Sequence, residues 1–295
     1  MNIKQHFILG DQWLYFKLYT GFNTADLLLT EVIFPLTQYL KRSQLVSHWF
    51  YIRYNDPDFH LRIRFYLTDS KKIGEVVIQI HNVLNNYFKS GLIWKIQYDT
   101  YNREIERYGE NTIEISEHIF YADSEMIVKL LEGLQENESE KQRWLLSLRA
   151  TDELLNAFEF SSDQKRELFT QLKNSFYKEF HIEGNYKKQF SLNYRENRKD
   201  IEKVMRTKAD DNSLLPIFQK KEMINPYAKI ILELKNGGSL RVPLNDLLSS
   251  HIHMMFNRFF RTQQRKHELV IYDYLFRYYD SDLNRMKYQS INSTV

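Results

Sequence analysis

Residues 49–67 run Trp49-Phe50-Tyr51-Ile52-Arg53-Tyr54-Asn55-Asp56-Pro57-Asp58-Phe59-His60-Leu61-Arg62-Ile63-Arg64-Phe65-Tyr66-Leu67. Two stretches rich in aromatic and β-branched residues flank Asn55-Asp56-Pro57-Asp58, a composition that favours a turn, so the segment reads as a β-hairpin. Successive strand side chains point to opposite faces. Leu61, Ile63 and Phe65 therefore pack inward, while His60, Arg62 and Arg64 share the other face. A tight hairpin is expected to add Arg53 from the neighbouring strand to this cluster. Clustered cations repel unless anions neutralise them, which points to a negatively charged ligand or to ordinary surface pairing with acids.

Working outward, Trp13 to Tyr19 (WLYFKLY) suits a buried strand. Thr24 or Asn23 is expected to cap a helix through Ala25 to Leu40, kinked at Pro35. A helix over about Ser70 to Lys89 stops near Gly91, and Leu92 to Tyr98 reads as another strand. From Asp123 onward apolar residues recur at helical spacing: Met126, Ile127, Leu130 and Leu131, later Trp144, Leu145 and Leu148, then Leu168, Leu172 and Phe176. Polar Gln135 to Lys141 is expected to be a surface loop, and Thr207 to Ser213 a linker or mobile loop within one domain spanning 1–295. The helix Leu244 to Phe260 precedes a Tyr-rich helix, Glu268 to Tyr279. The fold class is α+β: a mixed sheet of N-terminal strands and hairpin, packed by a mostly helical middle and C-terminal part.

The 295 residues suffice for a substantial core, and 43% hydrophobic and 15% aromatic content argues against disorder. A net charge of +3 gives no reason to expect direct nucleic-acid binding. The absence of cysteine excludes disulfides, thiolate metal sites and a cysteine nucleophile, and it fits a reducing compartment. No long apolar run suggests a signal peptide or a membrane span, so the cytoplasm is the expected location. Glycine-rich nucleotide loops, Gly-x-Ser-x-Gly and His-Glu-x-x-His are all missing. Any chemistry is expected to run on side chains alone, with no cofactor and no metal.

Two further spacings carry candidate chemistry. Glu104 and Arg107 lie three apart on a short turn ending at Gly109, a spacing that also describes an ordinary local ion pair. His253 and Asn257 lie four apart on one helix face, where an amide can orient an imidazole for proton transfer; a satisfied interior histidine is the plainer reading. His251-x-His253 lacks a third ligand at metal spacing.

In chain order, Trp13 to Tyr19, Trp49 to Pro57, His60 to Phe65, Glu104 to Gly109, Ile119 to Ser124 and His253 to Arg258 resemble the elimination (lyase) domain of class I lantibiotic dehydratases. Related thiopeptide-type bacteriocin biosynthesis proteins share the resemblance, whose most specific part is the hairpin. In that family a Ser or Thr of a precursor peptide is esterified with glutamate from glutamyl-tRNA, and the elimination domain expels the glutamate to leave a dehydroamino acid. The resemblance implies a freestanding elimination domain working with a separate glutamylating subunit, with a homodimer among the expected assemblies. It matches Arg64, Arg107 and His253 to the essential residues, with His253 in proton transfer and the arginines on glutamyl carboxylates or enolate. Arg62, Glu104, Arg53, His60 and Asn257 complete the expected substrate-binding set, Glu104 orienting an arginine and Asn257 orienting His253. Two alternatives stay open: a pyridine synthase that joins two dehydroalanines by a formal [4+2] cycloaddition, and a non-catalytic subunit that binds the precursor peptide through aromatic surfaces or an open strand edge, the tyrosines of 272–279 reading equally as such a surface or as core.

Overall fold

The computed structural model describes residues 3–134, 139–208 and 211–292. They form two compact units, one from 1–134 and 226–262, the other from 135–225 and 263–295. The first unit opens with β1 (His6–Phe7), β2 (Trp13–Thr20), α1 (Phe22–Leu27), a π-helical stretch Leu28–Ile33 and α2 (Phe34–Arg42). The hairpin β3 (Val46–Asn55) and β4 (Phe59–Leu67) follows, then a 3₁₀ turn Ser70–Lys72, α3 (Ile73–Lys89), β5 (Ile93–Tyr98), β6 (Tyr101–Asn102), α4 (Ile105–Tyr108) and α5 (Ile113–Glu132). The second unit holds α6 (Ser139–Ala157), α7 (Ser162–Glu179) and α8 (Gly184–Arg206). Helix α9 (Leu215–Asn236) passes from the second unit to the first at Pro226, α10 (Leu244–Phe259) belongs to the first, and α11 (Gln264–Asn292) to the second.

The expected α+β arrangement is borne out. β3, β4, β2 and β5 form one antiparallel sheet in that order, and β1 pairs with β6 in a small second one. Alternation gives the larger sheet two unlike faces. Leu14, Phe16, Leu18, Leu61, Ile63 and Phe65 are each 0% exposed on one face. The other carries Tyr15, Lys17, Phe50, Arg62 and Arg64, brought side by side by the pairings Tyr15↔Arg64, Lys17↔Arg62 and Phe50↔Arg64.

Several expectations are corrected. The first helix starts at Phe22, and its N-cap, Gly21, offers no side chain, so neither Asn23 nor Thr24 caps it. Pro35 lies at the start of α2 and the widened π turn precedes it. Proline lacks an N–H and its ring crowds the carbonyl four residues back, which accounts for a rearranged turn in place of a simple kink. The periodicity beginning at Asp123 belongs to a helix that starts ten residues earlier, at Ile113. Of the loop expected over 135–141, residues 135–138 lie outside the described residues and the remainder opens α6. Of 207–213, residues 209 and 210 lie outside them, and the flanking residues are irregular or turn. In the second unit Tyr272, Tyr274, Tyr278 and Tyr279 are buried, so the surface that tyrosines 272–279 were to supply for peptide binding is absent.

A ring stack seals one end of the sheet. His48 stacks on Tyr66 with centroids 4.7 Å apart and approaches His118 at 4.6 Å, while His118 stacks on Tyr227 at 4.6 Å. Burial, followed by the neighbouring His118 and Arg103 charges, pushes the His48 imidazole down to about 3. His118 is lowered as well, chiefly by burial. The folded chain therefore refuses protons that the unfolded chain accepts from pH ~6.5 downward, and stability falls as pH drops through that window towards 3, by up to about 1.4 kcal/mol per pH unit for His48. The melting temperature should decline over this range in the native chain and less steeply in His48→Phe; equal slopes would contradict this assignment.

Candidate functional site

Arg64 sits in the middle strand pair and is only 7% exposed. Its guanidinium carbon lies 4.4 Å from the Tyr15 ring centre, 4.8 Å from Tyr101 and 5.1 Å from Phe50. Cation–π attraction offsets part of its desolvation. Nε and Nη1 have no hydrogen-bond partner among the described residues, and burial lowers the pKa of the group. A buried cation with unmet donors costs free energy, and an incoming anion removes that cost.

Arg62, two residues back on the same face, lies 3.4 Å above the Tyr54 ring and donates Nε–H to His60 Nε2 at 3.1 Å. The other ring nitrogen of His60 contacts the Asp58 carbonyl at 2.8 Å. His60 thus sits beneath Arg62, outside the cleft lining. Arg53 is a correction: it pairs with Leu61, so it occupies the opposite face from Arg64. A register offset by one residue reverses the face of every side chain. There Arg53 is buried against Asp26 at 2.5 Å and donates Nε–H to the Arg258 carbonyl at 2.8 Å.

The second wall comes from β6 and α4. Arg103 makes a buried two-point pair with Glu117, Nε to Oε1 at 2.8 Å and Nη2 to Oε2 at 2.7 Å, and Tyr101 donates its hydroxyl to the same carboxylate at 2.8 Å. This anchors the segment carrying Glu104 and Arg107, which form a looser pair at 3.4 Å. The turn closes at Gly109, whose φ of 78° disfavours any side chain, and a Cβ there would lie 2.8 Å from Thr112 Oγ1.

Helix α10 supplies the third wall. Asn257 accepts from the Arg53 N–H at 3.0 Å and donates to the Arg53 carbonyl at 2.9 Å, replacing a strand neighbour for edge strand β3. One residue on, the Arg258 carbonyl accepts from the Tyr51 hydroxyl at 3.1 Å as well as from Arg53. Carbonyls in the last turn have no partner within their own helix, and these two donors meet that need. The Asn257 amide thus ties the helix to the sheet, a link that the helical spacing alone did not suggest, one turn after His253 in the same helix.

These walls enclose a cleft of about 400 Å³ lined by Arg62, Arg64, Glu104, Arg107, His253 and Asn257. Six of the eight expected residues, drawn from positions 62 to 257, thus meet at one opening, while Arg53 and His60 stay outside it. Tyr15, Lys17 and Asp99 also border it, and none of them was expected as a site residue. Lys17 pairs with Asp99 at 2.5 Å and Arg107 with Glu104, which leaves Arg62 and Arg64 without a carboxylate among the described residues. The opening has a surplus of positive charge beside an imidazole, an arrangement suited to holding an anion while moving a proton. Among the described residues no group of acids and histidines is clustered to hold a metal ion, and no helix is long and apolar enough to cross a membrane.

Two substitutions test this construction. Glu117→Gln removes the buried, two-point partner of Arg103 and leaves it only the exposed Glu114 at 3.3 Å, which should cost about 1–3 kcal/mol of unfolding free energy, read by denaturant titration. Asn257→Ala should cost about 1–3 kcal/mol, and activity should fall further than the loss of folded protein explains; an unchanged melt with full activity would remove the tie from the account.

Comparison with known proteins follows the same outline. A family model for the lantibiotic biosynthesis dehydratase C-terminal region matches residues 13–279. The nisin biosynthesis protein NisB of Lactococcus lactis subsp. lactis is 24% identical over 264 residues, which are 89% of this chain and 25% of that protein. The chain thus spans about a quarter of the length of that relative. The tRNA-dependent lantibiotic dehydratase MibB of Microbispora sp. 107891 shares the fold with a TM-score of 0.71 and 18% identity, over 94% of this chain and 29% of that one. The pyridine synthase TbtD from thiomuracin biosynthesis shares it with a TM-score of 0.70 and 13% identity, over 94% and 100% respectively. With a model match running through both units and the cleft, the chain belongs to the lantibiotic biosynthesis dehydratase C-terminal family.

Proposed function

We propose that the chain eliminates glutamate from glutamylated Ser or Thr of a ribosomal precursor peptide, leaving dehydroalanine or dehydrobutyrine. It would act as the lyase half of a split lantibiotic-type dehydratase, with a separate glutamyl-tRNA-dependent subunit supplying the ester and the cytoplasm as its compartment. The observation that carries this reading is Arg64, a buried cation with unmet donors at a cleft that also holds His253. A glutamyl ester supplies the anion that such a site lacks.

The chemistry is a β-elimination. His253 takes the Cα proton of the esterified residue, and the C–H electron pair passes into an enolate. As that pair forms the Cα=Cβ bond the Cβ–O bond breaks, and its electrons leave with the glutamate carboxylate. Arg64 and Arg107 hold the glutamyl carboxylates and the developing enolate, where preorganised cations lower the barrier more than they stabilise the ground state. Glu104 orients Arg107, and Arg62 adds positive potential held in place by Tyr54 and His60. Asn257 fixes the helix that carries the base.

The match to TbtD over 94% of this chain and the whole of that one gives cycloaddition of two dehydroalanines a place as the second reading. That substrate carries no glutamyl carboxylate, so it leaves Arg64 without a task. Incubation with a glutamylated precursor peptide, followed by mass spectrometry, separates the two. Release of glutamate with formation of dehydroamino acids is expected, and inertness towards that peptide combined with cyclisation of a dehydrated one would overturn the proposal. Arg64→Ala and His253→Ala should each lower elimination by at least about 100-fold while the chain still folds.

A further inference from the structure

Behind the cleft lies a second, smaller cavity of about 30 Å³, which shares Arg64, Ile52, Asn102, Glu104 and Met254 with it. On the measure by which one water needs about 10–15 Å³, that space admits a group of a few heavy atoms such as a carboxylate. Arg258 lines it too. This residue is 0% exposed, and its guanidinium lies 4.9 Å from the Phe120 ring centre. One of its nitrogens, Nη1, donates to the Met254 carbonyl at 2.9 Å and lies 3.6 Å from Asp123 Oδ2, whereas Nε has no hydrogen-bond partner among the described residues.

Two buried guanidinium groups with unmet donors therefore border the same small space. Asp123, 1% exposed, lies 3.6 Å from Arg258 outside the lining. Glu104, the acid in the lining, is already paired with Arg107. Burial lowers the pKa of both arginines, and the Arg64 charge contributes to the lowering at Arg258. Tyr101 and Tyr108 line the cavity as well, and burial raises the pKa of both, so their hydroxyls remain protonated near neutrality. The Tyr101 hydroxyl is already given to Glu117 and Arg258 has Asp123 on one side, so what the space holds unmet is Nε and Nη1 of Arg64 and Nε of Arg258, with no carboxylate on Arg64.

We propose that this cavity is a carboxylate subsite and that Arg258, together with Arg64, selects esters whose acyl side chain ends in a carboxylate. The inference rests on the elimination reading. Glutamate joined through its α-carboxyl keeps a free γ-carboxylate on a two-carbon arm. With the ester in the cleft, the arm reaches past Arg64, and its carboxylate displaces whatever small group fills the cavity. Arg258 then determines specificity and takes no part in proton transfer.

The test compares elimination from two precursor peptides, each with one seryl ester, glutamyl or norvalyl. Norvaline keeps the arm and replaces the carboxylate with a methyl group. The native chain should favour the glutamyl ester by about 100-fold or more in kcat/KM, because the apolar ester leaves the free donors of Arg64 and the Arg258 Nε–H unmet. Arg258→Met should reduce that preference to a few-fold, with most of the change in KM. Arg258→Met combined with Asp123→Leu removes the stranded carboxylate and should show the same loss in a chain that melts near the native temperature. In parallel, calorimetry should find that the native chain binds free L-glutamate and not L-norvaline, and that the double variant binds neither.

A native preference near unity overturns the subsite whatever the variants do, as does a full preference retained in a folded Arg258 variant. Arg258-dependent binding of glutamate by a chain that eliminates neither ester leaves the subsite standing and removes the elimination reading instead.

Discussion

A guanidinium held out of water without a carboxylate governs the architecture around it. Arg64 is tolerable because three aromatic rings from β2, β3 and β6 face its charge, and because it opens on a cleft that an anion can enter. The sheet register that aligns Tyr15 and Phe50 with Arg64 is therefore as much a part of the site as the arginine itself. Around that floor the acids are assigned with economy. Glu117 serves Arg103, Asp26 serves Arg53 and Arg261, Asp99 serves Lys17 and Glu104 serves Arg107, so of the cations at the cleft Arg62 and Arg64 are left without a carboxylate among the described residues.

The walls rest on the same separation of duties. Helix α10 is held at its last turn by the Asn257 amide and by the two donors on the Arg258 carbonyl, and this leaves the turn before it to present His253 to the opening. The loop with Glu104 and Arg107 is anchored by the neighbouring Arg103–Glu117 pair, while its own ion pair is half exposed and free to exchange partners. Rigid supports with a lightly committed inner surface are what a site needs in order to stabilise charge that develops only during reaction.

Much of this was legible in the sequence because it follows from local rules. The turn residues 55–58 and strand alternation placed Arg62 and Arg64 on one face, and helical spacing placed His253 and Asn257 on one helix. What the rules miss is decided by register and by distant partners. Arg53 lies on the opposite face because its strand pairs one residue away from the expected alignment. The amide of Asn257 is satisfied by a main chain 204 residues away. Arg258 passed as ordinary motif context, although one signal was present: a single charge within Met254-Met255-Phe256-Asn257-Arg258-Phe259-Phe260, where an apolar helix face leaves an arginine no water to reach. Tyrosines 272–279 resemble a binding surface in one dimension and are core in three.

The most direct test of the central claim follows Arg64 itself. In ¹⁵N-arginine-labelled protein, the Nε–Hε resonance of Arg64, assigned by its loss in Arg64→Lys, is monitored while a precursor peptide carrying a non-eliminating amide analogue of glutamyl-serine is added. The account predicts that this resonance shifts downfield and gains protection from solvent exchange at saturation, as an unmet buried donor acquires its anion. Saturation by the peptide with the Arg64 resonance unmoved, and other arginines shifted in its place, would contradict it.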